Sequence, residues 1–414
     1  SLAGATLCTN CVAGKYLTDP GHPHYLKATE HDDAGDCKIC SFGQYSGAGA
    51  TVCTVCAGGL YIDDDGIDAS NHGSCDTCPV GKYSIAGAAA CIQCPKGMYN
   101  GEVGQSGASS CKTCQTGMYN GVTGANVCVD CEAGTHIVDA GKYAAEHITC
   151  KVCASGYWSS AGATVCTACV SGMYLEDGGL DKALHNEVGD CTVCGSGRYS
   201  AAGARACDKC VPGKYLLDEA TGAVHHAAIS KCLDCAYGQY APDWGTTACT
   251  LCSKGRYNDL EGQSEPSACV VCSSGRYGAS TGLQTCTGEC SAGTYLGDEG
   301  IDETLHDAAS DCLICSAGEY SGAGAKSCID CEAGKYLTDA ATTASAHDHV
   351  DKCLACSTGQ YSDAKAKVCV DCDAGTYNSQ TGQAHRTACS VCANGQHSLA
   401  GATLCTNCVA GKYL

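Results

Sequence analysis

The spacing of the cysteines constrains this chain more than any other feature of its sequence. All 42 cysteines among the 414 residues fall in 21 close pairs, of which 20 read Cys-x-x-Cys. The remaining pair, Cys286 and Cys290, has one extra residue between its members. The third residue after every pair is glycine, and the fifth is tyrosine in 18 cases. This regular punctuation predicts a chain built from many copies of one small unit.

The gaps between cysteine pairs alternate in length. Short gaps have 12 or 13 residues and usually read close to Tyr-Ser-x-x-Gly-Ala-x-x-Cys, whereas long gaps have 16 to 25 residues. One short and one long gap make a unit of about 40 residues, which is a period typical of repeat proteins. The predicted module boundaries are 1–36 (cut at its start), 37–74, 75–110, 111–149, 150–190, 191–231, 232–268, 269–311, 312–352, 353–388 and 389–414 (cut at its end).

A larger repeat lies over the small one. Residues 1–17 recur letter for letter at 398–414, an offset of 397 residues that holds ten units. Seventeen identical residues do not recur by chance, so we expect the parent protein to contain tandem copies of a ten-unit block.

The cysteines are predicted to form disulfides. Aromatic residues are only 6% of the chain, too few to fill ordinary hydrophobic cores, and cross-links can replace such cores in small units. Repeated Cys-x-x-Cys motifs also occur in zinc ribbons, and redox enzymes use a Cys-x-x-Cys in a βαβ setting. The formal net charge of −20 favours a secreted disulfide scaffold over zinc modules that bind nucleic acid, and it argues against nucleic acid as a partner. No βαβ setting for a redox site is visible in the sequence. We therefore predict no cofactor and no metal.

Four cysteines in a module permit three connectivities. We favour joining the first to the third and the second to the fourth across a short gap. The bonds predicted in this way are Cys37–Cys53, Cys40–Cys56, Cys75–Cys91 and Cys78–Cys94.

The glycine and tyrosine that follow each pair are predicted to serve packing. Glycine there suits a backbone with positive φ or a close approach to another group. Tyrosine two residues later is expected to lie over a neighbouring cystine, with its hydroxyl at the surface. The first such residues that we assign to packing are Gly14, Tyr16, Gly43, Tyr45, Gly81 and Tyr83.

Seven of the long gaps carry an aspartate and, further on, a histidine. A stretch such as 181–185 suits one helical turn capped by its aspartate. A solvated capped loop, a bound cation and a partner contact are the alternatives, and Asp63, Asp64 and Asp65 are the clearest candidates for an oxygen-ligand site. The aspartates are Asp19, Asp64, Asp139, Asp177, Asp218, Asp298 and Asp339, and the histidines are His31, His72, His147, His185, His226, His306 and His347.

The other long gaps, after Cys94, Cys252 and Cys372, read Tyr-Asn-x-x-x-Gly-Gln and predict tight turns. No Asn-x-Ser/Thr sequon occurs, so N-glycans are not expected. The hydroxyls of the short gaps leave O-glycosylation open, with Ser46, Thr51, Ser84 and Ser321 as candidate sites. Every polar residue of note is repeated, whereas an active site is usually singular, and we predict no catalytic residues and no enzyme activity.

The pattern Cys-x-x-Cys-x-x-Gly-x-Tyr-Ser-x-x-Gly-Ala-x-x-Cys-x-x-Cys resembles the ephrin-receptor-like cysteine-rich repeat, as residues 75–94 show throughout. That repeat belongs with the growth-factor-receptor and tumour-necrosis-factor-receptor cysteine-rich modules. The resemblance implies small, β-rich, disulfide-laddered units in an extracellular protein. Together with the repeat, it predicts an elongated, solenoid-like rod of about ten modules.

Two functions compete at this stage. We favour a structural subunit of an extracellular filament, of the cell-surface or flagellar-hair kind, whose partners are neighbouring copies of itself and possibly glycans. The alternative is a ligand-binding or adhesion ectodomain of a receptor. Uniform modules and the absence of an apolar run of roughly 20 residues, which a membrane span requires, favour the filament.

Overall fold

The computed structural model describes residues 8–18, 33–64, 66–138 and 142–409. The chain forms two compact units, one built mainly from Ser1–Cys194 and the other mainly from Ile229–Leu414, with the residues between them divided among both. Each unit is a tandem series of small β-hairpins cross-linked by disulfides, and the described ranges contain no α-helix. The predicted class of small, disulfide-rich β-modules in tandem is confirmed.

Each hairpin pairs two short strands in antiparallel fashion. The first strand ends at the tyrosine position, and the second occupies the two residues before the second cysteine of the next pair. The described hairpins are Lys15–Tyr16 with Lys38–Ile39, Gln44–Tyr45 with Thr54–Val55, Leu60–Tyr61 with Asp76–Thr77, Lys82–Tyr83 with Ile92–Gln93, Met98–Tyr99 with Lys112–Thr113, Met118–Tyr119 with Val129–Asp130, Thr135–His136 with Lys151–Val152, Tyr157–Trp158 with Thr167–Ala168, Met173–Tyr174 with Thr192–Val193, Arg198–Tyr199 with Asp208–Lys209, Lys214–Tyr215 with Leu233–Asp234, Gln239–Tyr240 with Thr250–Leu251, Arg256–Tyr257 with Val270–Val271, Arg276–Tyr277 with Gly288–Glu289, Thr294–Tyr295 with Leu313–Ile314, Glu319–Tyr320 with Ile329–Asp330, Lys335–Tyr336 with Leu354–Ala355, Gln360–Tyr361 with Val370–Asp371, Thr376–Tyr377 with Ser390–Val391 and Gln396–His397 with Thr406–Asn407.

Single turns of 3₁₀-helix occur in the long gaps. Asp181 begins one of them, and its Oδ1 accepts a hydrogen bond from the Ala183 amide at 2.9 Å, which confirms the predicted cap. The described turns are Ala34–Asp36, Ala69–His72, Ala108–Ser110, Ala144–His147, Lys182–Leu184, Val188–Asp190, Ala223–His226, Ile229–Lys231, Pro266–Ala268, Glu303–Leu305, Ala309–Asp311, Ala344–Ala346, Val350–Lys352 and Arg386–Ala388.

A tight turn begins every hairpin. In the first, the Lys15 amide donates to the Val12 carbonyl at 3.1 Å, and Gly14 lies between them with a φ of +87°. A positive φ at the third position defines a type II turn, which glycine adopts without the strain that a Cβ atom brings. The glycines of the next short-gap turns, Gly43 and Gly81, have φ values of +62° and +80°.

Each disulfide closes one hairpin. Cys40 precedes the turn, Cys53 precedes the second strand, and their Cα atoms lie 5.8 Å apart across the two-residue sheet. The second cysteine of each pair therefore bonds to the first cysteine of the next pair. In this part of the chain the bonds are Cys11–Cys37, Cys40–Cys53, Cys56–Cys75, Cys78–Cys91 and Cys94–Cys111.

The predicted pairing was wrong. The bonds Cys37–Cys53, Cys40–Cys56, Cys75–Cys91 and Cys78–Cys94 do not form, because Cys37 and Cys53 hold the same position in successive hairpins rather than opposite positions in one. The disulfide Cys56–Cys75 also joins the predicted modules 37–74 and 75–110. The hairpin is thus the elementary unit, and two hairpins make one repeat of about 40 residues.

Backbone hydrogen bonds join each hairpin to the next. The Gly14 amide donates to the Ser46 carbonyl at 2.9 Å, and a parallel bridge links Tyr16 to Ala50. Equivalent bonds recur along each of the two units. Two-residue strands are too short to be stable alone, so these bonds between hairpins are part of what holds each hairpin in place.

Cystines and a few aliphatic side chains form the core. One cluster of buried residues is Cys169, Leu175 and Cys191, against which Trp158 and Met173 pack. Tyr199 and Tyr320 pack against corresponding clusters further along the chain. The tyrosine positions of the first hairpins, Tyr16, Tyr45 and Tyr83, are half-buried.

Candidate functional site

One backbone carbonyl in nearly every hairpin accepts a hydrogen bond from a buried side chain of a later segment. This carbonyl, here called the strand carbonyl, belongs to the residue before the tyrosine position. Serine, asparagine and histidine all serve as its partner. The side-chain to strand-carbonyl pairs are Ser46–Lys15, His72–Gln44, Ser84–Leu60, Asn100–Lys82, Asn120–Met98, His147–Met118, Ser159–Thr135, His185–Tyr157, Ser200–Met173, Asn258–Gln239, His306–Arg276, Ser321–Thr294, His347–Glu319, Ser362–Lys335, Asn378–Gln360 and Ser398–Thr376.

A simple sequence rule underlies these contacts. The residue after the tyrosine position is serine or asparagine in the Tyr-Asn gaps and in all short gaps except those with Ala241 and Gly278. Its side chain donates to the strand carbonyl of the preceding hairpin. Where that residue is aliphatic, as at Leu175, a histidine ten residues later, here His185, takes its place. Sequence reasoning missed this exchange, although a spacing of ten between the aliphatic residue and the histidine in six of the seven gaps carried the signal.

Three of the predicted O-glycosylation sites are excluded. Ser46, Ser84 and Ser321 are at most 2% exposed, and each hydroxyl donates to a strand carbonyl. A glycan has no room at such a side chain, and attaching one would remove the donor. Thr51 is exposed and remains a predicted site.

Six histidines of the long gaps are among the most enclosed polar residues of the described chain. All six of them, His72, His147, His185, His226, His306 and His347, have no exposed surface. Burial of a polar ring is costly unless its nitrogens are hydrogen-bonded. In His185, Nδ1 lies 2.6 Å from the Tyr157 carbonyl oxygen, and Nε2 lies 2.9 Å from Oδ2 of Asp177.

Four aspartates pair with these rings through Nε2. The distances from Nε2 to Oδ2 are between 2.9 and 3.1 Å. The pairs, called the Asp–His pairs below, are Asp64–His72, Asp177–His185, Asp298–His306 and Asp339–His347. The loops that they span are called the Asp–His loops.

The same carboxylate oxygen also organises the loop backbone. Oδ2 of Asp177 accepts from the amides of Gly179, Leu180 and Asp181 at 3.0 to 3.4 Å, and Asp298 repeats the arrangement in its own loop. Each aspartate therefore ties its loop to the ring, and the ring ties the loop to the strand carbonyl of an earlier hairpin.

Hydrogen bonding lowers the pKa of three of these aspartates. The donor that contributes most to the low pKa of Asp177 is the ring of His185. For Asp298 the backbone amide of Asp302 contributes most, with His306 adding to it. For Asp339 the Thr342 hydroxyl comes first and the ring of His347 follows, and the pKa lies well below the usual aspartate range. Each carboxylate is thus held in its charged form.

Acid is expected to destabilise the Asp–His loops. Because the folded pKa is lowered, each aspartate contributes stability that is complete above the unfolded value of about 3.9 and is lost as the pH falls through the folded pKa. We expect the free energy of unfolding, measured by denaturant titration between roughly pH 6 and pH 2, to fall with pH. The slope of this free energy against pH should be smaller in the variant Asp177→Asn than in the parent chain. The variant Asp76→Asn, at an exposed strand position, serves as the control. Equal slopes in both variants would contradict the assignment.

The contribution of the strand-carbonyl hydrogen bond to stability can be tested in a hairpin that lacks the side-chain donor. Ala241 occupies the serine position, is fully buried and offers no donor to the Lys214 carbonyl. We expect Ala241→Ser to raise the free energy of unfolding by about 1 kcal/mol, because the hydroxyl adds a buried hydrogen bond. Ser200→Ala is the reverse change and should lower it by about 1–2 kcal/mol, since the Met173 carbonyl loses its partner. Denaturant unfolding of both variants measures the effect, and an unchanged or less stable Ala241→Ser would contradict it.

The predicted acidic cluster is divided between different environments. Asp64 pairs with His72 at 3.1 Å, Asp63 is exposed, and Asp65 lies outside the described residues. Asp19, His31 and Asp139 also lie outside them, and Asp218 accepts from the Thr221 hydroxyl at 2.6 Å. In each Asp–His pair, the carboxylate oxygen that lies nearest the ring also accepts hydrogen bonds from backbone amides of its loop. This oxygen therefore serves to hold the loop backbone in place.

Among the described residues, one group of side chains has metal-ligand spacing. It consists of His136, Cys153 and Cys166. Cys153 and Cys166 form a disulfide with each other, so they have no thiolate to offer a metal.

A shallow cleft of about 370 Å³ lies in the second unit near Arg256. The guanidinium pairs with Glu303 and donates to the Cys269 carbonyl at 2.6 Å, while the Ser253 hydroxyl donates to Glu303 at 2.8 Å. These bonds join the hairpin of Arg256 to the loop of the next hairpin but one.

Comparison with known families was made once this geometry was established. Residues 81–131 match the family model described as tyrosine-protein kinase ephrin type A/B receptor-like. This segment is similar to an ephrin-receptor-like cysteine-rich module. Its hairpins at Lys82–Tyr83, Met98–Tyr99 and Met118–Tyr119 have the turn, the disulfide and the strand-carbonyl contact that recur along the chain.

A comparison with curated proteins gave no match for the chain. Within the described ranges, no helix has both the length and the apolar character required to cross a bilayer. The similarity to the ephrin-receptor-like module and the twenty disulfides among the described residues indicate an extracellular cysteine-rich repeat protein, because disulfides persist in oxidising compartments.

Proposed function

We propose that the chain is a structural subunit of an extracellular filament. The observation that carries the proposal is the uniformity of the bonds between hairpins. In each unit, turn after turn uses a glycine amide to the next hairpin, a disulfide that closes the hairpin and a side chain on the strand carbonyl. In a repeat protein of this kind, each element is stabilised mainly by its neighbours, so length can be added without a new core.

The surface of the short gaps is compatible with close contacts between chains. A Cβ atom added at Gly47 or Gly322 would meet no other atom within 4 Å, so these glycines have free space around them. Another chain can approach the backbone closely at such positions. The net charge of −20 opposes unspecific clumping and favours ordered contacts with defined geometry.

Immunogold electron microscopy of native material tests the proposal. Antibodies raised against the oxidised chain should decorate filaments at a regular axial spacing, and reduction of the disulfides should abolish the decoration. Label confined to the membrane surface or to discrete particles, together with saturable binding of a soluble protein ligand by the purified chain, would favour the ectodomain function instead. Pre-immune serum controls for adsorption to filaments.

A further inference from the structure

In three of the four Asp–His pairs, those of His185, His306 and His347, both ring nitrogens are hydrogen-bonded to acceptors. In the fourth, Nε2 of His72 lies 3.1 Å from Asp64 without a hydrogen bond to it. Nδ1 of His306 lies 2.8 Å from the Arg276 carbonyl oxygen, and Nε2 lies 3.0 Å from Oδ2 of Asp298. A carbonyl oxygen and a carboxylate oxygen can only accept. A neutral imidazole has a single N–H, so it satisfies one of the two and directs a lone pair at the other.

Carboxylates lie close to the buried rings. The rings have no exposed surface, and water cannot supply the missing donor. Besides the paired aspartates, Asp68 lies near His72 and Asp302 lies near His306, and both interact electrostatically with the rings.

The charged side chains on the strands that supply the carbonyls are paired elsewhere. Arg276 lies 3.9 Å from Glu289, and Glu319 forms an ion pair with Lys365. The carboxylates of the paired aspartates lie within 3.1 Å of the rings, and an anionic neighbour favours the charged form of imidazole.

The Tyr-Asn loops contain a version of the same contact without a titrating group. Asn100 donates from Nδ2 to the Lys82 carbonyl at 3.0 Å, and its Oδ1 accepts from the Glu102 amide at 3.1 Å. One carboxamide thus serves the strand carbonyl and a loop amide together. The Asp–His pair makes the same two contacts with two side chains: the ring contacts the strand carbonyl, and the aspartate accepts from the loop amides. A ring proton lies between the two side chains.

We propose that the three Asp–His pairs with both ring nitrogens hydrogen-bonded are buried ion pairs of an imidazolium and a carboxylate. These pairs hold their loops closed near neutral pH and let them open in acid and in alkali, whereas the Asn loops stay closed throughout. Protonation of the carboxylate in acid removes the acceptor of the loop amides. Loss of the second ring proton in alkali leaves two lone pairs facing each other. The loops are closed between these limits, and this behaviour does not depend on the proposed filament.

Nitrogen-15 NMR of histidine-labelled chain tests the protonation state directly. At neutral pH we expect N–H signals on both nitrogens of His185, His306 and His347. His349 and His385, whose side chains are 64% and 68% exposed, give an internal reference for rings in water. Only one protonated nitrogen in these three paired rings at neutral pH would overturn the proposal.

Amide hydrogen exchange tests the opening of the loops. Protection factors of the Leu180 and Ile301 amides, which donate to Asp177 and Asp298, should fall on both sides of neutrality. The Glu102 and Leu260 amides, which donate to asparagine, should keep constant protection over the same range. The same profile in all four amides would overturn the proposal.

The variant Asp177→Asn provides a matched comparison within one molecule. Removing this charge should let His185 lose its second proton, and its loop open, at a lower pH than in the parent chain. The loop of His306 should open at the parent pH. Opening of both loops at an unchanged pH would count against the ion pair. Should this variant fail to fold, the measurements on the parent chain decide the question.

Discussion

Replacement of Gly172 by alanine is expected to unfold its hairpin locally and to lower the free energy of unfolding by on the order of 3 kcal/mol. Gly172 has a φ of +88°, a conformation that strains any residue with a Cβ atom. The added Cβ would also overlap the carbonyl oxygen of Ala223, which belongs to the backbone and cannot rotate away. The backbone strain and the steric overlap therefore both destabilise the same hairpin.

Gly178 provides the matched control six residues away. It has no positive φ, and a Cβ atom there would meet nothing within 4 Å. Gly178→Ala should change stability by less than about 0.5 kcal/mol. Denaturant unfolding and limited proteolysis measure both variants. Equal stability of the two would show that the close approach at Gly172 is not part of the folded state.

Removal of the disulfide Cys40–Cys53 is expected to cost about 3 kcal/mol, because it closes a loop that is otherwise free to expand in the unfolded chain. The double variant Cys40→Ala with Cys53→Ala should leave every other bond intact. The double variant Cys37→Ala with Cys53→Ala breaks two bonds and leaves Cys11 and Cys40 as free thiols. It should therefore be less stable by roughly a further 3 kcal/mol.

Counting of free thiols separates this connectivity from the alternative. Alkylation should find two more thiols in Cys37→Ala with Cys53→Ala than in the parent chain, and no more in Cys40→Ala with Cys53→Ala. The connectivity that joins first to third and second to fourth requires the opposite counts. Peptide mapping without reduction then locates the bonds.

The class of fold could be predicted because its signals are local. A glycine three residues after each cysteine pair predicts a turn, and tyrosine two residues later predicts a packed strand end, since each concerns the backbone within a few positions. The disulfide partners could not be derived in this way. Spacing alone leaves three connectivities open, and the choice depends on which cysteines flank one hairpin, a relation set by strand pairing.

The candidate site was predicted only in part. The regular occurrence of an aspartate and a histidine was visible, and the capping role of Asp181 followed from its position before a helical turn. The contact of His185 with the Tyr157 carbonyl spans 28 residues, and that of Ser46 with the Lys15 carbonyl spans 31. Side chains that look like exposed turn residues in the sequence are therefore buried, and only the packing of successive hairpins reveals this.

The order of the disulfides determines where tension would pass along the chain. Cys11–Cys37, Cys40–Cys53 and Cys56–Cys75 follow one another without overlapping, so a pulling force crosses each long gap through a sulfur–sulfur bond. The loops then lie outside the loaded path and can be cut without breaking it. Only the two residues between paired cysteines, such as Lys38–Ile39, carry the force through the main chain, and they are held in a strand.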